Sequence, residues 1–314
     1  MAALCSRTGL LLAASSVLLL ACGGGGGSSS TNSANSSSGG TSSGSGSTSS
    51  STGSSSGSSS GSSTSSSSSS GSGTSGANVG ADAKIVFLHH STGGVIWDGG
   101  VDSWISSYNA AHSTRYQITE RAYPSGSPYP WENYPYDYWN IWVSHAGSQA
   151  YMEEPTLEML TAQYNVIVWK HCFPVSDIEA DTGSASVSSA TKTLENYKLQ
   201  YAALKTKMHE FPNTRFIVWT GSARIEAETT PEQATRAREF ATWVKQTWDE
   251  PGDNIFVWDF RELETEGGLY LPAKYSAGDS HPNTALAQMI APWFGQRVVD
   301  VTEGRGDSAS ITGH

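Results

Sequence analysis

The chain has 314 residues, of which 37% are hydrophobic and 15% are charged, and its formal net charge is -11. This acidic balance, without a visible basic patch, argues against a nucleic-acid partner, because phosphate binding needs clustered Lys and Arg. Residues 23–77 are almost only Ser, Gly and Thr, and such a segment has no apolar surface whose burial could offset chain entropy. We therefore expect one sizeable core within residues 78–300, after a linker over residues 22–77 and before a flexible tail over residues 301–314.

The amino terminus has the pattern of an export signal over residues 1–21. Arg7 is followed by an apolar run at residues 10–20, which is shorter than the roughly 20 helical residues that cross a bilayer and fits a signal peptide. The run closes with Leu-Leu-Ala-Cys, which resembles a bacterial lipoprotein box and implies lipidation of Cys22. The alternative is an ordinary Ala-rich cleavage site with an incidental Cys. Because Gly23 rather than Asp follows, the lipoprotein interpretation predicts an anchor in the outer membrane or at the cell surface.

The linker and the cysteines agree with export. As a random coil, the Ser/Gly tract has a root-mean-square reach of roughly 40 Å, so it would tether a domain that searches a surface. Cys5 leaves with the signal and Cys22 would carry lipid, which leaves Cys172 alone in the folded part. We expect no internal disulfide in the mature domain, no metal site and no cofactor.

The folded part alternates short apolar runs with amphipathic stretches. Runs typical of strands occur at residues 84–89, 115–120, 165–169, 216–219 and 254–258. Helices are predicted at residues 97–108, 188–210, 231–248 and 283–299, the last one kinked near Pro292. This alternation predicts a mainly parallel five-stranded sheet in a three-layer α/β/α sandwich of the flavodoxin type. Ligands of such sheets bind beyond the carboxyl ends of the strands.

The first candidate site residue is Ser91, in the polar, Gly-rich turn after the first predicted strand. A Ser at such a turn holds its hydroxyl at the carboxyl edge of the sheet, where backbone N–H groups of the coming helix can stabilise an oxyanion. That position suits a nucleophile. The alternative is a Ser that only caps the helix.

Two further candidates, Asp279 and His281, lie just before the last predicted helix. A His can act as the general base for a hydroxyl, and a nearby carboxylate can fix its tautomer and stabilise the imidazolium. The alternative is a turn in which Asp279 caps a helix and His281 lies at the surface.

Together, Ser91 and the Asp-Ser-His-Pro-Asn segment at residues 279–283 resemble the SGNH, or GDSL-like, hydrolases. The resemblance covers residues 84–299 in order and spacing. It implies a serine ester hydrolase in which Ser91 attacks the substrate, His281 transfers the proton and Asp279 orients His281.

The chain departs from the family's pattern at three positions. The first block, usually Gly-Asp-Ser, is His-His-Ser at residues 89–91. The acid normally lies three residues before the His, where this chain has Gly278; Asp279 lies two before, so another carboxylate, or none, assists His281 if Asp279 points away. Cys172 stands roughly where the family has an Asn, and a thiol is a poor hydrogen-bond donor.

The resemblance also implies an oxyanion site. Its donors would be the backbone N–H groups of Ser91 and of a Gly after the second strand, for which Gly126 is the nearest match and Gly147 the rival. In place of the family's Asn, other backbone N–H groups, His171 or Lys170 would have to donate.

Residues 123–142 form a segment too rich in Pro for a helix or a central strand. Its aromatic rings with polar edges suit stacking on sugars, which predicts a carbohydrate-binding loop. The alternative is a self-packed loop of the Ω type.

Other features of the sequence give weaker predictions. Glu153 and Glu154, or Glu226 and Glu228, could form the acid and base of a glycosidase, although they lie in segments that resemble helix starts. The histidines without the spacing of metal ligands are His112, His145 and His209. The sequence therefore favours a surface-anchored esterase that removes acetyl or similar groups from an extracellular carbohydrate, with a non-catalytic glycan-binding lipoprotein and a glycosidase as alternatives.

Overall fold

The computed structural model of the protein describes residues 79–314. The predicted signal peptide, Cys22 and the whole of the predicted linker lie outside the described residues. The strands of the described part are β1 (Asp82–His89), β2 (Arg115–Ala122), β3 (Val166–Trp169), β4 (Arg215–Trp219) and β5 (Ile255–Trp258). They pair in parallel in the order β2-β1-β3-β4-β5, which is the flavodoxin-like order. The predicted five-stranded sheet and three-layer α/β/α class are confirmed.

Helices connect these strands and cover both faces of the sheet. The α-helices are α1 (Thr92–Trp97), α2 (Val101–His112), α3 (Pro135–Trp139), α4 (Leu157–Thr161), α5 (Leu194–His209), α6 (Pro231–Trp243), α7 (Phe260–Thr265) and α8 (Thr284–Thr302). Short 3₁₀ turns lie at Phe173–Ser176 and Glu226–Glu228, and π-helical turns continue α3 over Asn140–Ser144 and α6 over Val244–Trp248. Among residues 79–314, no helix combines the length and apolar character that a membrane span requires.

Side chains of the sheet enter two separate cores. Ile85 and Phe87 of β1 pack with α1, α2 and α8, whereas Val86 and Leu88 pack on the opposite face with α3, α5 and α6. This division follows from the alternation of side chains along a strand. β3 is buried at all of its positions, as expected for a central strand of a covered parallel sheet. The helices occupy the faces, and the loops at the carboxyl edge can carry a site.

Two predicted helices begin later in the chain than their sequence pattern. The helix predicted over residues 97–108 is divided between α1 and α2 at Gly100, whose φ of 109° is left-handed and favours glycine. The helix predicted over residues 188–210 begins only with α5, because the Thr193 hydroxyl accepts a hydrogen bond from the Asn196 N–H and caps it.

The carboxyl-terminal segment does not form the flexible tail that its polar sequence predicts. α8 continues through residue 302, and the chain then returns to the end of β5. There the Asp259 N–H donates to the Ile311 carbonyl at 2.8 Å and the Trp258 indole donates to the Thr312 carbonyl at 2.9 Å. Backbone carbonyls make these contacts, which the side-chain pattern of the segment does not reveal.

Candidate active site

Two distant parts of the chain meet at the carboxyl edge of the sheet. Ser91 lies between β1 and α1, and His281 lies just before α8. The Ser91 hydroxyl is hydrogen-bonded to Nε2 of His281, and Nδ1 of the same ring lies 3.0 Å from each carboxylate oxygen of Asp279. With its proton on Nδ1, the ring donates to Asp279 and accepts from Ser91. The structure thus joins these three residues in one line of hydrogen bonds.

Ser91 has a conformation that differs from that of an ordinary helix cap. Its side chain makes no capping hydrogen bond to α1, so the alternative in which it only caps the helix does not hold. Its φ of 45° and ψ of -99° lie in a region that costs a residue with a side chain on the order of 1–3 kcal/mol. Ser91 is also exposed, so the turn presents the hydroxyl to solvent.

Close packing beneath Ser91 maintains this turn. A Cβ at Gly93 would lie 2.4 Å from Cβ of His89, so only glycine lets α1 begin over that side chain. His89 is buried, and its Nε2 lies 2.8 Å from a carboxylate oxygen of Glu120 on β2. Burial, together with the nearby Lys170 charge, lowers the pKa of His89 to about 3. The ring is therefore neutral and supports the turn.

The Asp279 carboxylate reaches the imidazole because the segment before α8 forms a turn. Gly278, at the position of the family's acid, has a φ of 115°, and Ser276 Oγ accepts from the Gly278 N–H and donates to the Asp279 carbonyl. The Asp279 carboxylate can therefore accept from both the backbone N–H of His281, at 2.8 Å, and its ring. Partial burial would raise the pKa of Asp279, but these hydrogen bonds outweigh it and hold that pKa below the usual value.

Neighbouring groups fix the segment that carries His281. Ser280 is buried, and its hydroxyl donates to Glu228 and accepts from the Ile225 N–H at 3.1 Å. Phe173 meets the His281 ring edge to face, with ring centroids 5.0 Å apart. Glu228, considered above as a glycosidase carboxylate, therefore supports the loop of His281.

Two stacked rings, those of Trp131 and His90, lie between Gly126 and Ser91. The Trp131 ring lies 3.8 Å from the His90 ring, centroid to centroid, and a Cβ at Gly126 would lie 3.3 Å from Nε1 of Trp131. His90 is adjacent to Ser91, and its Nε2 donates to the Pro124 carbonyl. Within residues 79–314, the backbone N–H groups of Ser91 and Gly126 donate to no acceptor. Both are available for an oxyanion.

Gly147, the rival oxyanion donor, has different neighbours from Gly126. Its carbonyl accepts from the Thr156 hydroxyl, two residues before Glu158. Glu158 pairs at 2.7 Å with Lys207, in the last turn of α5. Because that turn leads into the start of β4, Glu158 and Lys207 lie near the amino edge of the sheet. The described contacts favour Gly126 over Gly147 as the oxyanion donor, since Gly126 contacts Trp131 beside His90.

The residues after β3 are buried, and none of their side chains can directly take the place of the Asn that SGNH hydrolases have here. Both ring nitrogens of His171 lack a partner among the described residues, and aromatic rings enclose this side chain. Burial would raise the pKa of Cys172, but the Lys170 charge and hydrogen bonds from Ser91 and Thr92 lower it below its usual value. The Lys170 ammonium donates to the His90 carbonyl at 3.1 Å.

The aromatic segment at residues 123–142 is mostly self-packed, in agreement with the Ω-type alternative. Asp137 accepts hydrogen bonds from the backbone N–H groups of residues 132, 133 and 134. Burial raises the pKa of Asp137 to about 6, although these bonds oppose the rise. Buried rings of this segment are Tyr123, Tyr129, Tyr134, Tyr138, Trp139 and Trp142. Trp131 is only partly buried and retains a surface beside His90.

The histidines outside this site have structural neighbours. His112 stacks on Tyr108, and His145 stacks on Tyr151. His209 lies 2.9 Å from a carboxylate oxygen of Asp253. In the part of the chain that the structure describes, no group of His, Cys, Asp and Glu side chains could hold a metal ion.

The carboxylates considered for a glycosidase are not paired around a cleft. Glu154 is buried and accepts from both the N–H and the hydroxyl of Ser125. Glu153 and Glu226 are exposed, and Glu228 binds Ser280. These contacts assign Glu154 and Glu228 to loop support.

Comparisons with known proteins found a weak structural similarity and no sequence match. No family model matches the chain, and no curated protein matches it. Among solved structures, it is similar to a gut microbial diltiazem-metabolizing enzyme, with 11% identity and a TM-score of 0.41. The match covers 67% of this chain and 45% of that one, so the chain spans less than half of that enzyme. A likeness of this size does not bear on the reaction.

Proposed function

We propose that the protein is a serine ester hydrolase of the SGNH type. The observation that carries the proposal is the hydrogen bond between the Ser91 hydroxyl and Nε2 of His281, whose Nδ1 faces Asp279. A nucleophile in contact with a base, which a third group orients, is the arrangement that activates a hydroxyl. The exposure of Ser91 and its strained backbone support the same role.

The reaction proceeds in two steps. Ser91 Oγ bonds to the ester carbonyl carbon as its proton passes to Nε2 of His281, and the N–H groups of Ser91 and Gly126 hold the oxyanion. The carbonyl re-forms, the bond to the alcohol breaks, and His281 returns the proton to that alcohol. A water then gives a proton to His281 and bonds to the acyl carbon. The acid leaves as Ser91 Oγ recovers the proton.

The proposed substrate is an acetyl or similar ester on an extracellular carbohydrate. Its support is the partly exposed Trp131, stacked on the residue adjacent to the nucleophile, because indole faces pack on the apolar faces of sugars. The sequence adds the signal, the linker and the Cys22 anchor, all of which we propose for the amino terminus. With this anchor the enzyme would act at the outer membrane or the cell surface.

Hydrolysis of p-nitrophenyl acetate by the purified full-length chain tests the proposal. We expect turnover, and covalent labelling of Ser91 by a fluorophosphonate. Ser91→Ala should abolish both, whereas Ser107→Ala, on the exposed side of α2, should retain them. Full activity of Ser91→Ala would overturn the proposal.

A non-catalytic glycan-binding protein is the second candidate, and Cys172 in place of the family's Asn is the observation that favours it. A protein of this kind would bind glycan without turnover or labelling, and His281→Ala would leave the binding unchanged.

A further inference from the structure

We propose that Lys170 is a positioning residue that orients and strengthens the Ser91 N–H as an oxyanion donor. The inference rests on the proposed function. The Lys170 ammonium donates to the His90 carbonyl at 3.1 Å. That carbonyl and the Ser91 N–H belong to one peptide unit, which is trans. Because a peptide unit is planar, its C=O and N–H point in opposite directions. The ammonium therefore helps to fix the direction of the N–H, together with the Gly93 N–H, which donates to the same carbonyl at 2.9 Å.

Lys170 is too deeply buried to take part in catalysis by direct contact with a substrate. The side chain is 1% exposed, so it cannot touch a substrate at Ser91. A charged donor on the His90 carbonyl polarises the peptide unit and makes its N–H a stronger donor, and the effect is larger in a low-dielectric interior. Lys170 thus acts from beneath the site, through the backbone, where the family's Asn would act from the site itself.

The charge of Lys170 is not neutralised by a direct ion pair. Within residues 79–314, no carboxylate oxygen lies within ion-pair distance of its ammonium, its hydrogen-bond acceptor is the His90 carbonyl, and the Trp219 ring centroid lies 5.9 Å away. The titratable groups that face it are His89, His90, His171, Cys172 and Glu264. Burial lowers the pKa of the three histidines, so these rings are neutral at neutral pH.

Glu264 is an electrostatic neighbour of Lys170 and is hydrogen-bonded to the backbone. It is fully buried, and one carboxylate oxygen accepts from the Ala223 N–H. Burial raises the pKa of Glu264 to about 8, so it is mostly protonated at neutral pH. A buried ammonium whose partner is a carbonyl is an expensive core residue. The contact of Lys170 with the His90–Ser91 peptide supplies a functional reason for this unfavourable burial.

The test compares three variants of the full-length chain on p-nitrophenyl acetate. Lys170→Met should lower kcat about tenfold to a hundredfold, since removing an oxyanion donor entirely costs somewhat more, with KM within about twofold of the wild-type value. Lys170→Arg should recover part of kcat, because a guanidinium can also donate to the His90 carbonyl. Lys207→Met is the matched control: Lys207 is also buried, lies near the amino edge, and should keep the wild-type kcat.

The pH profile separates positioning from a merely structural effect. Burial lowers the pKa of Lys170 to about 8. In the wild-type chain, kcat should therefore fall as pH rises through about 8 and Lys170 loses its proton. Lys170→Arg keeps a positive charge at the same buried position, so it should fold. Because the guanidinium stays charged above pH 8, kcat of this variant should not fall there.

The outcomes distinguish this inference from the proposed function. A wild-type chain without hydrolysis or labelling would overturn both. An active wild-type chain with unchanged kcat in folded Lys170→Met, or with the same alkaline fall in Lys170→Arg, would overturn the role of Lys170 alone. If Lys170→Met fails to fold, the pH profile of kcat in Lys170→Arg tests the role of Lys170 by itself.

Discussion

Ser91 and His281 are separated by 190 positions, and the hydroxyl of one is hydrogen-bonded to the imidazole of the other. The sheet explains this contact. Ser91 follows β1, which lies between β2 and β3 in the sheet, and α8 packs against α1 and α2 on the same face. The segment that enters α8 therefore passes over the carboxyl end of β1, which brings the His281 imidazole to the Ser91 hydroxyl.

Asp279→Asn tests the orienting role of the carboxylate. The amide cannot stabilise the imidazolium and favours the wrong ring tautomer, so we expect kcat on p-nitrophenyl acetate to fall on the order of a thousandfold or more. Since the Asp279 side chain is 50% exposed, the urea midpoint of unfolding should change little.

Asp102→Asn is the control for this carboxylate. Asp102 lies in the first turn of α2, where it accepts from the Ser103 N–H, and its loss should leave kcat unchanged. If Asp279→Asn kept more than a third of the wild-type kcat, another group would have to orient His281.

Gly126→Ala and Gly147→Ala form a matched pair for the oxyanion site. Both glycines have positive φ, 117° and 140°, so both variants carry similar backbone strain. Of the two, only Gly126 contacts Trp131, which stacks on His90 next to Ser91. Gly126→Ala should lower kcat/KM about tenfold to a hundredfold through a displaced N–H, and Gly147→Ala should keep it. Equal losses in both variants would remove Gly126 from the oxyanion site.

The sheet and the position of Ser91 were accessible from sequence because both depend on local patterns. A run such as Val166–Trp169 is apolar throughout, as a covered central strand must be. A polar, Gly-rich turn directly after such a strand places Ser91 at the ligand-binding edge by topology alone.

The rest of the site depends on contacts that composition does not encode. Asp279 reaches His281 through a turn at Gly278, which spacing alone could not distinguish from an extended segment. Lys170 follows a strand and would be expected in water, since lysines are rarely fully buried. The sequence indicated a role for Lys170 only because it lies close to Cys172, which stands where SGNH hydrolases have an Asn. The aromatic segment was ambiguous because rings suit both a core and a sugar.

Trp131→Ala tests the carbohydrate part of the proposed function. Because Trp131 also packs beside Gly126, kcat/KM on p-nitrophenyl acetate, an ester without a sugar to stack, measures any displacement of the oxyanion donor and is the reference for the carbohydrate effect. KM for an O-acetylated oligosaccharide should rise about threefold to tenfold, as expected for the loss of one stacking contact of about 0.5–1.5 kcal/mol. Trp243→Ala, at the far end of α6, should leave both values unchanged. An unchanged KM in Trp131→Ala would remove this ring from the sugar site.

Glu264→Gln tests the buried carboxyl behind Lys170 by its effect on stability. Burial raises the pKa of Glu264 to about 8, against the opposing effects of the Ala223 N–H, Arg261 and Lys170. The folded chain thus holds a proton that the unfolded chain releases near pH 4.5. This contribution to stability is complete below pH 4.5 and is lost as pH rises towards 8. Glu264→Gln cannot titrate, so at pH 8 it should exceed the wild-type free energy of unfolding by about 4 kcal/mol.

Urea denaturation of Glu264→Gln between pH 5 and pH 8 measures this difference. The wild-type free energy of unfolding should decline across the interval, and that of Glu264→Gln should decline less. Glu262→Gln, on the exposed side of the same helix, should keep the wild-type slope because its carboxylate is in contact with water. Identical slopes for the wild-type chain and Glu264→Gln would mean that Glu264 is ionised in the folded protein, which would then place a buried anion near Lys170 and weaken the field that Lys170 exerts on the Ser91 peptide.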